Sequence, residues 1–181
     1  MKSIEKLVLT AILLAAGTVL NAFVPGYLFG MKPDMILIAM FLSLFLFAER
    51  KHILIIGLAA GLLSALTSTM PGGFIPNIID KVLTSTICFT VFIGIKRLIP
   101  NDIAALAMTA VGTLLSGFLF LFFVSILASL PKSFVAMFIG VVIPAAVINT
   151  ILFGITYKIL QPIMLRRKPS LTPSSTVKRG L

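Results

Sequence analysis

The sequence predicts an all-α membrane protein, a six-helix transmembrane bundle, and three observations carry that prediction. Apolar residues make up 59% of the 181 positions and charged residues only 11%, a balance found in multispanning chains and not in soluble domains. Six apolar runs are separated by proline, glycine or clustered charge. At roughly 20 residues per helical span they consume the chain and leave no room for a sizeable soluble domain. The cations gather beside alternate ends of those runs, the pattern of the positive-inside rule.

The first run, 7–24, follows Lys2 and Lys6. A cationic start before an apolar stretch also describes a secretory signal peptide, but further apolar runs follow, so it reads as a first membrane helix. Pro25-Gly26, Gly30 and Pro33 then mark a structured loop. The second run, 35–47, is short at about 13 residues for a span. It must borrow length from Pro33 and Ala48 or sit in a locally thinned bilayer. A tight turn of charge, Glu49-Arg50-Lys51-His52, leads to the third run, 53–68, whose Gly57 and Gly61 form a smooth face for close packing inside the bundle. Pro71-Gly72-Gly73 with Pro76 marks a second structured loop before the fourth run, 77–95. Turns at Pro100-Asn101-Asp102 and Pro131-Lys132-Ser133 introduce the fifth and sixth runs, 103–130 and 134–160. Both are long enough to imply tilt or extension into a loop, and Pro144 predicts a kink in the last helix. From Arg166 the chain turns basic and then Ser/Thr/Pro-rich. The expected plan is a membrane domain over 1–165 and a disordered cytoplasmic tail over 166–181.

Placing the first loop outside puts twelve of the fifteen Lys and Arg residues in the cytoplasm and leaves Lys32, Lys81 and Lys132 at or near the outer face. Both termini are then cytoplasmic and the two Pro/Gly loops face outward. The net charge of +10 orients helices and meets the anionic lipid of the bilayer, so no nucleic-acid partner is expected.

Catalytic signatures are missing. The chain has no GxxxxGK[ST], HExxH or GxSxG pattern, its one histidine, His52, sits in a cationic turn, and its one cysteine, Cys88, lies in an apolar run. ATPase, zinc protease and serine hydrolase readings fail, no disulfide or cysteine metal site can form within one chain, and no cofactor is expected. Binding and transport remain.

The informative polar groups gather at outer helix ends: Lys32-Pro33-Asp34 opens the second span and Asn77-Ile78-Ile79-Asp80-Lys81 the fourth. A charge costs about 2.5 to 3.5 kcal/mol at the centre of a membrane helix and less toward the interface, so it persists where it pairs or binds something. Asp34, in a first turn beside Pro33, also complements the helix dipole. Asp80 and Lys81 point about 100° apart, so at least one turns into the bundle. The two signs together suit a zwitterionic solute. Thr67, Ser68 and Thr69 form a lip of hydroxyls beside Asn77, with Gly72-Gly73 as flexible backbone or ordinary turn, and Phe74 offers a face to a flat apolar ligand. Met31, Met35, Met40 and Met70 read mainly as packing. Asn21 and Asn149, inside apolar helices, are expected to form interhelical hydrogen bonds, with substrate contact as the alternative role. Ala11, Ala15, Thr18 and Ala22 line one small-residue face of the first helix, suited either to packing in the bundle or to docking a partner.

Gly30-Met31-Lys32-Pro33-Asp34-Met35, the run Ser64-Ala65-Leu66-Thr67-Ser68-Thr69-Met70-Pro71-Gly72-Gly73, and Ile75-Pro76-Asn77-Ile78-Ile79-Asp80-Lys81 resemble the bacterial tryptophan transporter TrpP family over about residues 5–165. That family is similar in turn to the substrate-binding S components of energy-coupling factor (ECF) importers. The resemblance implies an S-component-like fold in the bacterial cell membrane that captures tryptophan outside. It implies as partners an ECF coupling protein, docked at Ala11 and Ala15, and two cytoplasmic ATPase subunits. Loops one and three would cover the pocket. On this reading Asp80 and Asn77 hold the amino end, Lys81 or Lys32 takes the carboxylate, and Asp34, Thr67 and Thr69 complete the polar site. Phe74 and nearby methionines contact the indole. Two other readings stand beside it: an ion-coupled tryptophan carrier in which Asp34 or Asp80 titrates, and a membrane scaffold that transports nothing.

Overall fold

The computed structural model describes residues 3–23 and 33–166. Each apolar run is a helix: α1 (Ser3–Phe23), α2 (Met35–Leu46), α3 (Ile53–Leu66), α4 (Phe74–Ile95), α5 (Asn101–Leu127) and α6, which opens as Phe134–Met137, widens into a π-turn at Phe138–Val142 and continues as Ile143–Arg166. One 3-10 turn, Arg50–His52, precedes α3, and no strand occurs among the described residues. Lys32, Met31 and residues 167–181 of the expected tail lie outside the described residues.

The shortest helix is also the most hidden. Twelve residues of α2 rise only about 18 Å, against a hydrocarbon core of about 30 Å. Residues 36–45 are all buried, and α2 packs against each of the other five helices. A helix apolar on every side belongs inside. Asp34 and Phe47 cap it, so it borrows no length from Pro33 or Ala48. Because the surrounding helices bury residues 36–45, a span this short is tolerated. By contrast α1, α4, α5 and the continuous α6 are each long and apolar enough to cross a membrane. Their outer faces stay apolar, as with Val147, Ile151, Ile155 and Ile159 at every fourth position of α6, which is what lipid contact requires.

Small residues set the helix spacings. A Cβ at Gly61 would stand 2.9 Å from Ile78 Cα, and one at Gly57 would stand 3.1 Å from Lys81 O, so the Gly57/Gly61 face seats α4 directly on α3. Gly17 brings α1 equally close to α2, with Met35 O 2.8 Å from its would-be Cβ. In the core, Phe41 stacks on Phe45 with centroids 5.4 Å apart, and Phe45 meets Phe92 of α4 and Phe153 of α6. Pro144, which predicts a kink, is preceded by the π-turn, where Ile143 N–H donates to Phe138 O. The wider turn accommodates a residue that has no N–H to continue the α pattern.

The two ends of the bundle differ in charge chemistry. At one end Glu49 pairs with Lys6 at 2.6 Å and Lys51 at 3.0 Å, and Ser3 Oγ lies 2.9 Å from His52 Nε2, tying the start of α1 to the α2–α3 turn. Hydrogen bonds from Lys6 and then Lys51 hold the Glu49 carboxyl down at about 2. The other end carries a cavity.

Candidate functional site

The cavity is organised by the first two turns of α4. Gly72 takes φ +72°, a left-handed conformation that favours glycine, and lets the chain turn into the helix. Gly73 O then accepts both the Asn77 backbone N–H at 3.1 Å and Asn77 Nδ2 at 2.7 Å. Asn77, Asp80, Lys81, Thr84 and Cys88 follow at helical spacing and are all buried. Both Asp80 and Lys81 turn inward, at 0% and 2% exposure, because the long lysine side chain folds toward its neighbour's carboxylate.

Lys81 Nζ stands at the centre of the charge network. It lies 2.7 Å from Asp80 Oδ2, 2.9 Å from Asp34 Oδ2 and 3.2 Å from Ser116 Oγ, so each of its three donors has an acceptor. Ser116 in turn donates to Asp80 Oδ2 at 2.8 Å, and Thr84 Oγ1 donates to Asp80 Oδ1 at 2.9 Å. Asp34 works at both ends of its carboxylate: Oδ1 caps α2 by accepting from Leu37 N–H at 2.9 Å, and Oδ2 faces Lys81. The dipole-complementing role expected for Asp34 and its pairing role therefore coexist. Its side chain is 27% exposed, against 3% for Lys81 and 0% for Asp80. Two carboxylates against one ammonium leave a formal charge of −1, and Asp34 is the most exposed of the three charged groups, all of which line the cavity.

The cavity measures about 130 Å³ and draws on all six helices, close to the roughly 150 Å³ that accommodates a benzene ring in an engineered apolar core. Its α3–α4 side is polar, with Ser64, Thr67, Ser68, Thr69 and Asn77. Its α5–α6 side carries Phe120, Gly117, Val142 and Ala145, and Met70 and Phe120 both pack against the small cluster that holds Val142. Such a mixture of apolar wall and few polar groups is usual for a small-molecule site.

Of the residues singled out in the sequence, Asp34, Thr67, Thr69, Asn77, Asp80 and Lys81 line this one cavity. Lys32 lies outside the described residues. Phe74 departs from expectation: it is 48% exposed and does not line the cavity, where Phe120 supplies the aromatic wall. Phe74 shares Lys81's face of α4 but stands seven residues, about 10.5 Å, nearer the helix end, beyond the charged network. Asn21 makes the expected interhelical bond, Nδ2 to Thr67 Oγ1 at 3.3 Å. Asn149 does not: it is 1% exposed and neither amide atom has a partner. Ala11 and Ala15 are exposed on α1, so that face is not used in packing this bundle, whereas Gly57 and Gly61 are.

Ser64, Ser116 and Phe120 were not legible as site residues in the sequence. Ser64 extends the Gly57/Gly61 spacing of α3, and Ser116 extends a small polar stripe of α5 through Thr109, Gly112 and Thr113. That periodic signal marks an inward face but does not say which neighbour it meets.

Comparison with known proteins places this geometry in context. A family model described as tryptophan transporter TrpP matches residues 3–166. A probable tryptophan transport protein of Bacillus subtilis is 43% identical over 162 residues, covering 90% of this chain and 94% of its own. Proteins of the same description from Clostridium acetobutylicum and Clostridium perfringens are 41% and 32% identical, over 86% and 87% of this chain and 91% and 92% of theirs. No solved structure matches the chain significantly.

Proposed function

The chain belongs to the tryptophan transporter TrpP family, a family of transporters and not of enzymes, and from that membership we propose that it is the substrate-binding subunit of an ATP-driven ECF importer, capturing L-tryptophan on the outer face of the cell membrane. The observation that carries this reading is the cavity itself, with a buried charge network at one wall and a ring-sized apolar wall at the other.

Asp34 takes the α-ammonium group, because it is the exposed carboxylate of a network carrying one unmatched negative charge. Lys81 and Asp80 hold Asp34 in place: the three donors of Lys81 are already engaged and Asp80 is fully buried. The α-carboxylate meets the hydroxyls at the end of α3 together with Asn77, and Lys32, two residues before Asp34, is the further candidate cation. The indole lies against Phe120, Met70 and Val142. The cation-rich end at Lys6, Arg50 and Lys51 faces the cytoplasm with both termini, which turns the cavity outward. Exposed Ala11 and Ala15 supply the smooth surface on which a membrane coupling protein docks, and two ATPase subunits hydrolyse ATP on separate chains.

The buried Asp34–Lys81–Asp80 network favours one rival, since intramembrane charge clusters also serve ion-coupled carriers. Two measurements decide. Calorimetry in nanodiscs should show selective tryptophan binding over tyrosine, histidine, biotin and riboflavin. In proteoliposomes, uptake should require the coupling protein, both ATPase subunits and ATP, and should survive collapse of proton and sodium gradients. Gradient-driven uptake by this chain alone would establish the ion-coupled carrier, and a folded protein that binds none of these solutes would return the scaffold reading.

A further inference from the structure

Asn149 sits inside the apolar wall of the cavity. Val142, Ala145 and Asn149 recur at helical spacing on one face of α6 and all line the cavity. The amide is 1% exposed, yet neither Oδ1 nor Nδ2 has a hydrogen-bond partner. The amides of Asn21 and Asn77, by contrast, each donate to another group of the protein. A buried amide left unpaired by the protein is costly. Its natural partner is a polar atom carried into the cavity on an otherwise apolar ring.

We propose that Asn149 is the specificity-determining residue of the cavity, its Oδ1 accepting a hydrogen bond from the N–H of an indole ring. The inference rests on the tryptophan reading above and deepens it by naming how the ring is distinguished from other aromatic rings. Since neither amide atom is engaged by the protein, the group turns its oxygen toward the ring without breaking an existing bond. A ring of similar shape lacking the N–H leaves the amide unpaired, and a site built around a hydrogen bond discriminates strongly against such an analogue.

The test compares tryptophan with benzothienylalanine, in which sulfur replaces the indole N–H, on the full chain in nanodiscs. The wild type should prefer tryptophan by roughly 10- to 100-fold. In Asn149→Leu and Asn149→Ala that preference should fall to within about threefold, mainly through weaker tryptophan binding. Thermal stability separates this role from a structural one, because replacing an unpartnered amide with the apolar isostere in Asn149→Leu should hold or raise the melting temperature. Equal wild-type affinity for the two ligands, or an unchanged preference in both variants, overturns the assignment alone. So does marked destabilisation of Asn149→Leu, since it would mean that the amide is bonded within the protein. Binding of neither ligand by folded wild type overturns this inference and the tryptophan reading together.

Discussion

Replacing Asp80 and Asp34 one at a time separates the residue that holds the network from the residue proposed to meet the ligand. Asp80 is fully buried and accepts from Lys81, Ser116 and Thr84 at 2.7 to 2.9 Å. Truncation to alanine strands two buried hydroxyls and leaves Lys81 with Asp34 as its one carboxylate. Removing a partner from a buried ion pair costs about 3 to 5 kcal/mol, and the retained Asp34 pair places Asp80→Ala near 3. Asp34→Ala keeps the Lys81–Asp80 pair and loses chiefly the α2 cap, worth about 1 kcal/mol. For a chain of this size each kcal/mol moves the melting point about 2 to 4 °C, so the expected losses are about 6 to 12 °C and about 2 to 4 °C. The sole cysteine, Cys88, is 1% exposed and seven residues beyond Lys81 on α4, so a thiol-reactive fluorophore reports unfolding of the site-bearing helix. Tryptophan affinity should fall at least tenfold in Asp34→Ala, the cost of about 1.4 kcal/mol expected on losing a charge-assisted hydrogen bond. Equal destabilisation by the two variants, an Asp80→Ala melting point within about 2 °C of wild type, or an Asp34→Ala protein with full affinity would refute the reasoning.

Other consequences follow from the same geometry. Gly61→Leu should force α3 from α4 at Ile78, lower stability by about 1 to 3 kcal/mol and weaken tryptophan binding, whereas Gly94→Ala, with open space around it, should melt like wild type. Ala11→Phe with Ala15→Phe should leave binding and melting unchanged while abolishing ATP-dependent uptake; normal uptake would remove that face as the docking surface. Because the Glu49 carboxyl is held at about 2 in the fold against 4.5 ordinarily, its stabilising contribution is complete above pH 4.5 and disappears as pH falls through 2. The melting-point gap between wild type and Glu49→Gln should therefore be level from pH 8 to 5 and shrink on acidification, and a gap that widens in acid contradicts the pairing with Lys6 and Lys51.

How much of this was legible in the sequence depended on the range over which each signal acts. The six helices and the inward turn of at least one of Asp80 and Lys81 follow from local periodicity and from the cost of charge in lipid, whereas the burial of both was set by packing. The Gly57/Gly61 seat is equally local, since four-residue spacing places both glycines on one face. The misplacement of Phe74 has the opposite origin: its helical angle was right, but its depth relative to the cavity depends on where α4 enters the bundle. Asn149 shows the same limit, because an interhelical bond is the sound expectation until the neighbouring helices prove to offer it no partner.

Helix count, the membrane as solvent, the family motif around Asn77, Asp80 and Lys81, and the polar character of one set of helix ends were all legible in the linear chain. It took the packed bundle to show that Asp34 and Ser116 meet at Lys81, that Phe120 and not Phe74 faces the cavity, and that the short α2 forms the centre. The physical reason is that in a bilayer apolar side chains suit the interior and the lipid face alike, as buried Ile36 and exposed Ile103 illustrate. Hydropathy finds the helices, but their adjacency and depth, which bring distant polar groups together, are set by packing among all six.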